Sequence, residues 1–300
     1  MTVKIDIAGI GAALSGTPGE LVGVDYDGAT NTTKNKALGA GSGQSVHSST
    51  ASDQTGNGVV MFRSVPTVEV LSIPQTSLTS SEHVIYKFRV KADPAYDVAL
   101  RQFAFEVSTT GITGLSARGG DRANFTLRNV TDGNKRVSAA TGTAAEFYSD
   151  MARYSDGSGT LLFRIVADTT DYGNAWVPIL KDGPDSSADD WYTFQLYATV
   201  QTDGAGDSIS TKLKSDSARP SRVSLTGAAR RPMLKISLAT NLEQSEPDQA
   251  ATASTTAFIW SDYSADATST GSHTANTADW MNGFKVPGLV SAPSSAVMSN

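Results

Sequence analysis

The fold class follows from residues 84–90, which read Val84-Ile85-Tyr86-Lys87-Phe88-Arg89-Val90. The two rings share one side of this stretch with Val84 and Val90, and the two cations share the other side with Ile85. A period of two residues is typical of a β-strand that is buried on one face only. The stretch therefore predicts a half-buried strand.

The same period recurs outward along the chain in both directions. Leu100–Val107 alternates Phe103 and Phe105 with Gln102 and Glu106. Further strands are predicted at Val59–Arg63, Val65–Leu71, Phe125–Val130, Thr160–Ala167, Trp191–Gln201, Ser221–Leu225 and Met233–Ala239. Turns rich in Gly, Asp, Asn and Pro separate these strands. The pattern predicts an all-β protein with an immunoglobulin-like β-sandwich, either one large domain or two joined ones.

The chain divides into three segments by composition. We expect an N-terminal strand and arm in residues 1–57, the sandwich in residues 58–240, and a C-terminal aromatic segment that packs on it in residues 241–300. The only helix indicated is a short one at Thr143–Ala152, where Glu146 lies near the start.

The N-terminal strand is predicted at residues 1–10, because Val3, Ile5 and Ile7 alternate with polar residues. Residues 11–57 lack sustained periodicity and are rich in Gly, Ser and Thr, which is typical of a linker. A linker of this length is unusual inside a compact domain, so we expect some interaction to hold it in place.

Composition limits the classes of function. The 300 residues carry a net charge of −6, and this acidic balance argues against nucleic acid as a partner. The absence of cysteine excludes disulfides and thiolate metal ligands. Charged residues make up only 18%, and Ser, Thr, Asn and Gly supply the remaining polar surface. Such compositions are common on extracellular proteins and on proteins that pack against their own copies.

No apolar run approaches the roughly 18 residues of a membrane helix, so membrane insertion is not expected. Residues 1–10 alternate instead of forming the apolar block of a signal peptide. An exported protein with this sequence would therefore be in its mature form, and we expect it outside the cell or at the cell surface.

Two stretches resemble a known group of proteins. The first is Gly58–Val68, GVVMFRSVPTV, followed by Tyr86–Asp93, YKFRVKAD. The second runs from Phe258–Asp262, FIWSD, to Asp279–Gly283, DWMNG. They resemble uncharacterised extracellular β-rich proteins of candidate-phylum, ultrasmall bacteria, which are regarded as S-layer-like or surface-filament components. The resemblance covers about residues 58–290, implies secretion and a structural surface role, and implies no catalytic residues.

Catalysis is not indicated by any motif. His47, His83 and His273 are isolated, whereas a zinc site needs clustered nitrogen or sulfur ligands. There is no Gly-x-Ser-x-Gly elbow between a strand and a helix. A glycosidase would need two carboxylates across one cleft, an arrangement that a single sequence does not establish. We expect neither an enzyme nor a catalytic residue.

Calcium is the one ligand ion that the sequence favours. The stretch Asp25-Tyr26-Asp27-Gly28-Ala29-Thr30-Asn31 places the oxygen ligands of Asp25, Asp27 and Asn31 on alternate residues before a turn. It departs from an EF-hand, because Ala29 occupies the fifth position and no glutamate occupies the twelfth. An ordinary Asp/Gly turn is the alternative interpretation.

The tryptophans admit two interpretations. Phe258, Trp260 and Trp280 are expected to form a buried cluster that packs the C-terminal segment onto the sandwich. Alternatively these rings, with Trp176 and Trp191, could stack on sugars. Core packing is the simpler account for Trp191 too, because it begins an alternating strand.

These observations favour a structural function. We expect a subunit that polymerises with copies of itself into an extracellular layer, tube or filament. Val3, Ile5 and Ile7 would complete a sheet in the neighbouring subunit, or else fold back onto their own domain. The alternative function is a cell-surface adhesin or carbohydrate-binding module whose partner is a glycan.

Overall fold

The computed structural model shows an all-β protein. It describes residues 4–11, 14–16, 19, 21–26, 36–47, 54–55, 59–112, 125–137, 145–147, 157–167, 169–184, 190–202, 204–216, 257–264, 279–289 and 295–300. The predicted strands at Ser221–Leu225 and Met233–Ala239 lie outside these residues. The described chain forms two compact units, which we call the ribbon (Gly19–Met61) and the body (Met1–Pro18 with Phe62–Asn300).

The described residues of the ribbon form three nested strand pairs. Its strands are β1 (Leu21–Val22), β2 (Asp25–Tyr26), β3 (Lys36–Leu38), β4 (Ser45–His47), β5 (Gln54–Thr55) and β6 (Val59–Val60). β1 pairs with β6, β2 with β5 and β3 with β4, all antiparallel. At the central turn the Gly39 amide donates to the Gln44 carbonyl at 2.9 Å, and Gly43 takes a φ of 63°.

This arrangement differs from the linker that composition indicated. Each paired stretch is only two or three residues long, so no window of the sequence shows the period of a strand. The three described pairs are nevertheless nested around one turn, from Leu21↔Val60 on the outside to Leu38↔Ser45 next to the turn.

The body contains the remaining elements. They are β7 (Thr67–Leu71), β8 (Glu82–Lys91), β9 (Val98–Ile112), β10 (Phe125–Asn129), β11 (Lys135–Arg136), β12 (Ala145–Phe147), β13 (Gly157–Val166), α1 (Thr169–Tyr172), β14 (Val177–Ile179), β15 (Tyr192–Thr199), β16 (Ser208–Leu213), β17 (Phe258–Ser261), β18 (Trp280–Asn282) and β19 (Ala296–Ser299). The helix is a single turn. Across the described residues no helix has the length and apolar character needed to span a membrane.

The body strands form two antiparallel sheets. Sheet 1 has the order β11-β10-β15-β8-β7. Sheet 2 has the order β12-β13-β9-β16-β19, and β14, β17 and β18 extend it beside the first half of β9. β9 is 15 residues long, so each of its edges pairs with two strands in turn: β14 and then β13 on one edge, and β17 and then β16 on the other.

The sheets face each other across an aromatic core, an arrangement consistent with a β-sandwich. The ring centroids of Phe88 in sheet 1 and Phe103 in sheet 2 lie 5.7 Å apart, and those of Tyr86 and Phe105 lie 6.1 Å apart. Phe194 stacks on Phe88 at 5.1 Å within sheet 1. All five side chains are fully buried. Burying a ring of this size contributes about 1.5–3 kcal/mol, so these rings account for much of the cohesion between the sheets.

A β-bulge changes the alternation at the start of β8. Leu196 pairs with Tyr86 but Tyr197 pairs with Val84, so Ile85 is one extra residue on the β8 side. Ile85 is therefore buried together with Tyr86, and Val84 is only half-buried. Strict alternation places Val84 on the side of the rings and Ile85 on the side of the cations. The bulge reverses both assignments, because it moves every residue beyond it to the other face.

A strand replaces the expected helix in the described part of Thr143–Ala152. Ala145 pairs with Ile165 and Phe147 pairs with Phe163, so β12 adds to sheet 2 beside β13. Pairing with the neighbouring strand overrides the intrinsic helix propensity of this segment.

Candidate functional site

Residues 4–11, the described part of the N-terminal segment, join neither sheet of the body, so the strand predicted at residues 1–10 is not formed there. Residues 4–9 form no strand, and Ile10 makes only an isolated parallel bridge to Gly16. The Ile5 side chain is 52% exposed and that of Ile7 is 45% exposed, while Val3 lies outside the described residues. Two of the three apolar side chains proposed for assembly are thus accessible in the single chain.

Two sheet edges of the body are covered by the chain itself. At the edge of β7, the Val68 amide donates to the Pro287 carbonyl at 2.9 Å. Gly288 is required there, because its φ is +83° and an added Cβ would meet the Val68 carbonyl oxygen. At the edge of β19, Ser299 exchanges amide–carbonyl hydrogen bonds with Thr76 and Leu78 at 3.0 Å each.

In the described part of the ribbon, in contrast, no strand has a partner on both of its edges. Each of its described strands pairs with only one other strand. Strands with one unpaired edge offer amide and carbonyl groups to an added strand. Leu38 and Val59 are 65% and 62% exposed, so the ribbon also presents apolar side chains to solvent.

The C-terminal aromatic residues are all buried, but in two clusters: Phe258 and Trp260 belong to the main core between the sheets, and Trp280 packs with Ala99 and Ile259 in a second, smaller cluster. Phe258, Trp260 and Trp280 are at most 1% exposed. β17 pairs with β9 on one side and with β18 on the other, and the Trp260 Nε1 donates to the Asn282 carbonyl at 2.9 Å. Phe258 packs edge-on against Phe103 with a centroid distance of 5.6 Å. Rings buried in this way are not accessible for stacking on a glycan.

Asp216 joins the start of β17 to the residue after β18 and was not indicated by the sequence. Its carboxylate accepts hydrogen bonds from the amides of Ala257 (2.7 Å), Phe258 (3.2 Å) and Gly283 (2.7 Å). Burial raises the pKa of the carboxyl above its usual range, and the three amide donors oppose that shift. Since the donors lie 41 to 67 residues away, no local pattern marks Asp216 as their partner.

A second buried carboxylate, Asp262, joins Arg63 to the residues that follow β17. It accepts hydrogen bonds from the Arg63 amide at 2.8 Å and from the Ser264 amide at 3.1 Å. The Arg63 guanidinium lies over the Tyr96 ring and donates to the Tyr263 carbonyl at 3.0 Å. Burial raises the pKa of Asp262, the negative charge of nearby Asp279 raises it further, and the hydrogen bonds lower it.

The residues proposed for calcium are only partly described. Asp25 lies in β2 opposite Thr55, and Asp27 and Asn31 lie outside the described residues. Within the described ranges, no group of three or more His, Asp or Glu side chains could hold a metal ion. Calcium binding at residues 25–31 stays a prediction.

The described histidines have contrasting surroundings. His83 is buried, and its Nε2 lies 2.8 Å from the Thr79 carbonyl and 3.0 Å from the Ser81 hydroxyl. This side chain holds the turn that precedes β8. His47 lies in the ribbon opposite Lys36, and His273 lies outside the described residues.

The outer face of sheet 1 carries a cluster of cations that the sequence analysis did not identify. Lys87, Arg89 and Lys91 alternate along β8, and Arg128 and Arg136 are register partners on β10 and β11. We call these five residues the basic face. Because their inward neighbours form the core, all five side chains point away from it and are half-buried.

Two aromatic rings lie among these cations. The Arg89 guanidinium lies 4.4 Å from the Trp191 ring centroid, and the Lys91 Nζ lies 4.9 Å from it. The Arg128 guanidinium lies 5.8 Å from the Tyr197 ring centroid. Such cation–π contacts hold the charged groups in fixed positions at the surface.

No protein-family model matches the sequence, and no curated protein matches it.

Proposed function

We propose that this protein is a non-catalytic structural subunit that assembles with copies of itself into an extracellular layer, tube or filament. The observation that carries the proposal is the N-terminal segment, whose Ile5 and Ile7 are exposed and belong to no strand of their own chain. An alternating apolar segment without a sheet is suited to strand addition in a neighbouring copy.

The ribbon supplies an acceptor for such a strand. A two-stranded ribbon is marginally stable alone in water, and a third strand with an apolar face would stabilise it. Burying Val3, Ile5 and Ile7 would contribute about 5–8 kcal/mol before the cost of ordering the segment. Because donor and acceptor are different parts of the chain, the contact is head-to-tail and propagates into an open polymer.

We also propose that the body is an immunoglobulin-like sandwich. An immunoglobulin-like sandwich holds two facing antiparallel sheets of about seven to nine strands. The adjacent strands β7 and β8, followed by a crossing to β9 in the other sheet, fit that architecture. The central position of β9 in sheet 2 would make the body a variant of it.

Electron microscopy of the purified chain tests the proposal. The chain should form fibres, tubes or sheets, and a variant lacking residues 1–10 should stay folded but monomeric. Replacing Ile5 and Ile7 by Ser should also block assembly, whereas replacing Lys4 and Asp6 by Ser should not, because these two lie on the other side of the predicted strand. Normal assembly without residues 1–10 would refute strand exchange.

A glycan-binding function is the second candidate, and one observation favours it. Trp260 and Trp280 are buried, but Trp191 is half-buried on the basic face. A binding module would stay monomeric and would retain its ligand when residues 1–10 are removed.

A further inference from the structure

We propose that the basic face binds an anionic polysaccharide whose carboxylates pair with Lys87, Lys91 and Arg128. This inference does not depend on self-assembly, since a chain that remains monomeric would still present the face. It does sharpen the glycan-binding alternative, because it names the surface and the chemical class of the ligand.

The charge of the face is opposite to that of the protein as a whole. The five cations share the strands of sheet 1 with two outward acids, Glu69 and Glu82, in a chain whose net charge is −6. Arg89 uses Nε and a terminal nitrogen to bind the Glu69 carboxylate at 3.0 and 2.8 Å. Glu82 lies at the far end of β8, five residues from Lys87.

Three of the cations have no carboxylate partner among the described residues. Lys87, Lys91 and Arg128 form none of the ion pairs found there, in contrast to Arg89. On sheet 2, Lys212 and Lys214 both pair with Glu106. Like charges on one face repel each other, so an anion that binds between them removes an unfavourable interaction.

Arg136 lies at the margin of the face and is less available. Its backbone amide donates to the carboxylate of Asp171 at 2.6 Å. Asp171 is the third residue of α1. The Asp171 charge therefore lies near Arg136 and lowers the local positive potential. We assign the binding contacts to the three central cations for this reason.

The spacing of the cations suits an extended polymer. Lys87 and Lys91 are separated by four residues of one strand, about 13 Å. Arg128 and Lys87 lie on either side of Gln195 in the pairing register, about 10 Å apart across two strands. A single small anion is too short to contact cations at such distances. A polymer with carboxylates at regular positions along its length can contact all three.

Polar groups between the cations favour a sugar polymer. Gln195 lies between Arg128 and Lys87, and Thr193 lies beside Arg89. Their amide and hydroxyl groups complement sugar hydroxyls, and Trp191 offers an aromatic edge beside Lys91. Nucleic acid would offer phosphates to the same cations but carries fewer hydroxyl groups for Gln195 and Thr193, so the sugar polymer is favoured.

Binding of sodium polygalacturonate to the full chain, measured by isothermal titration calorimetry at low salt, tests the proposal. Binding should weaken as salt is added, and neutral dextran should not bind. Lys87→Glu and Arg128→Glu should each weaken binding about tenfold, equivalent to about 1.4 kcal/mol. Lys181→Glu makes the same charge change at an exposed turn next to sheet 2 and should have little effect.

Four results would overturn the proposal. One is the absence of polygalacturonate binding at low salt, and another is an equal loss of affinity in Lys181→Glu, which would indicate a general charge effect. Tighter binding of a single-stranded oligonucleotide with the same number of charges would assign the face to nucleic acid. Salt-sensitive self-association that Lys87→Glu abolishes, with no polymer bound, would assign it to a second copy.

Discussion

At the scale of single residues, one buried carboxylate accepts hydrogen bonds from three backbone amides. Asp216 follows β16, and its three amide partners belong to the residues at the start of β17 and after β18. Gly283 permits this approach, because an added Cβ would lie 3.0 Å from the carboxylate and 2.7 Å from the Phe258 Cβ. The C-terminal segment is therefore fixed to sheet 2 by hydrogen bonds as well as by its rings.

Removing this carboxylate should destabilise the body. Asp216→Ala would leave three amides without their partner, and each buried unsatisfied donor costs about 1–3 kcal/mol. We expect the free energy of unfolding in urea to fall by about 3 kcal/mol or more. Asp93→Ala is the matched control, since Asp93 is exposed and bonds only the Ala95 amide, and it should cost less than about 1 kcal/mol. Equal losses in the two variants would contradict this role.

Asp262 and Glu106 should give stability opposite dependences on pH. Burial raises the pKa of Asp262 in the folded state, so folding takes up a proton between 3.8 and that raised pKa. Partial burial would raise the pKa of Glu106 as well, but Lys212 and Lys214 outweigh it and lower the pKa below 4.5. The Asp262 contribution therefore declines as pH rises above about 4, whereas that of Glu106 is lost as pH falls below about 4.5.

Urea unfolding at a series of pH values checks these signs. The stability of the wild type relative to Asp262→Asn should decrease from pH 4 upward. The stability relative to Glu106→Gln should increase over the pH range in which Glu106 loses its proton in the unfolded chain. A difference that does not change with pH, or one with the reverse sign, would contradict the assigned cause.

At the scale of elements, sequence predicted those strands whose two faces have different surroundings. β8, β10 and β15 alternate because one face meets the core and the other meets solvent, and their predicted positions coincide with the observed ones. β17 is buried at all four positions, so it has no alternation to detect. β18 is likewise buried throughout.

The residues of the candidate sites could also be predicted only where a short stretch of sequence carries the signal. Sequence indicated a buried cluster of Phe258, Trp260 and Trp280, because large apolar rings in a short segment are usually buried; all three are buried, but Trp280 lies in a separate cluster. The basic face could not be found in this way, since Lys87 and Arg128 lie on strands separated in sequence and meet only through the register with Gln195. Register depends on turns and bulges that composition does not specify.

The packing of β18 can be tested directly. Trp280→Ala would remove a fully buried indole that contacts Trp176 with a centroid distance of 6.1 Å, and such truncations cost about 3–5 kcal/mol. The expected result is a lower urea midpoint. Trp191→Ala is the control, because Trp191 is half-buried on the outer face and should cost less. Unchanged stability with loss of glycan binding would instead support the adhesin alternative.

At the scale of the whole molecule, stability is divided unequally between the two units. The body buries an aromatic core between two sheets, and β8 and β9 pair on both sides. The described strands of the ribbon have one partner each, and Leu38 and Val59 remain exposed. A unit with few buried apolar groups opens locally at a lower free energy than the global unfolding of the domain.

Amide hydrogen exchange followed by mass spectrometry tests this division and its link to assembly. In the monomer, peptides covering residues 36–47 should exchange far faster than peptides from β8, β9 and β15, because opening the ribbon does not disrupt the core.

If the ribbon accepts the N-terminal segment of a neighbour, the ribbon peptides should become protected in the polymer while the body peptides stay as they were. The variant lacking residues 1–10 serves as the control, since its ribbon should exchange rapidly at every protein concentration. Ribbon protection that already equals that of the body in the monomer would contradict the division. Assembly without added protection there would show that the acceptor is another part of the molecule.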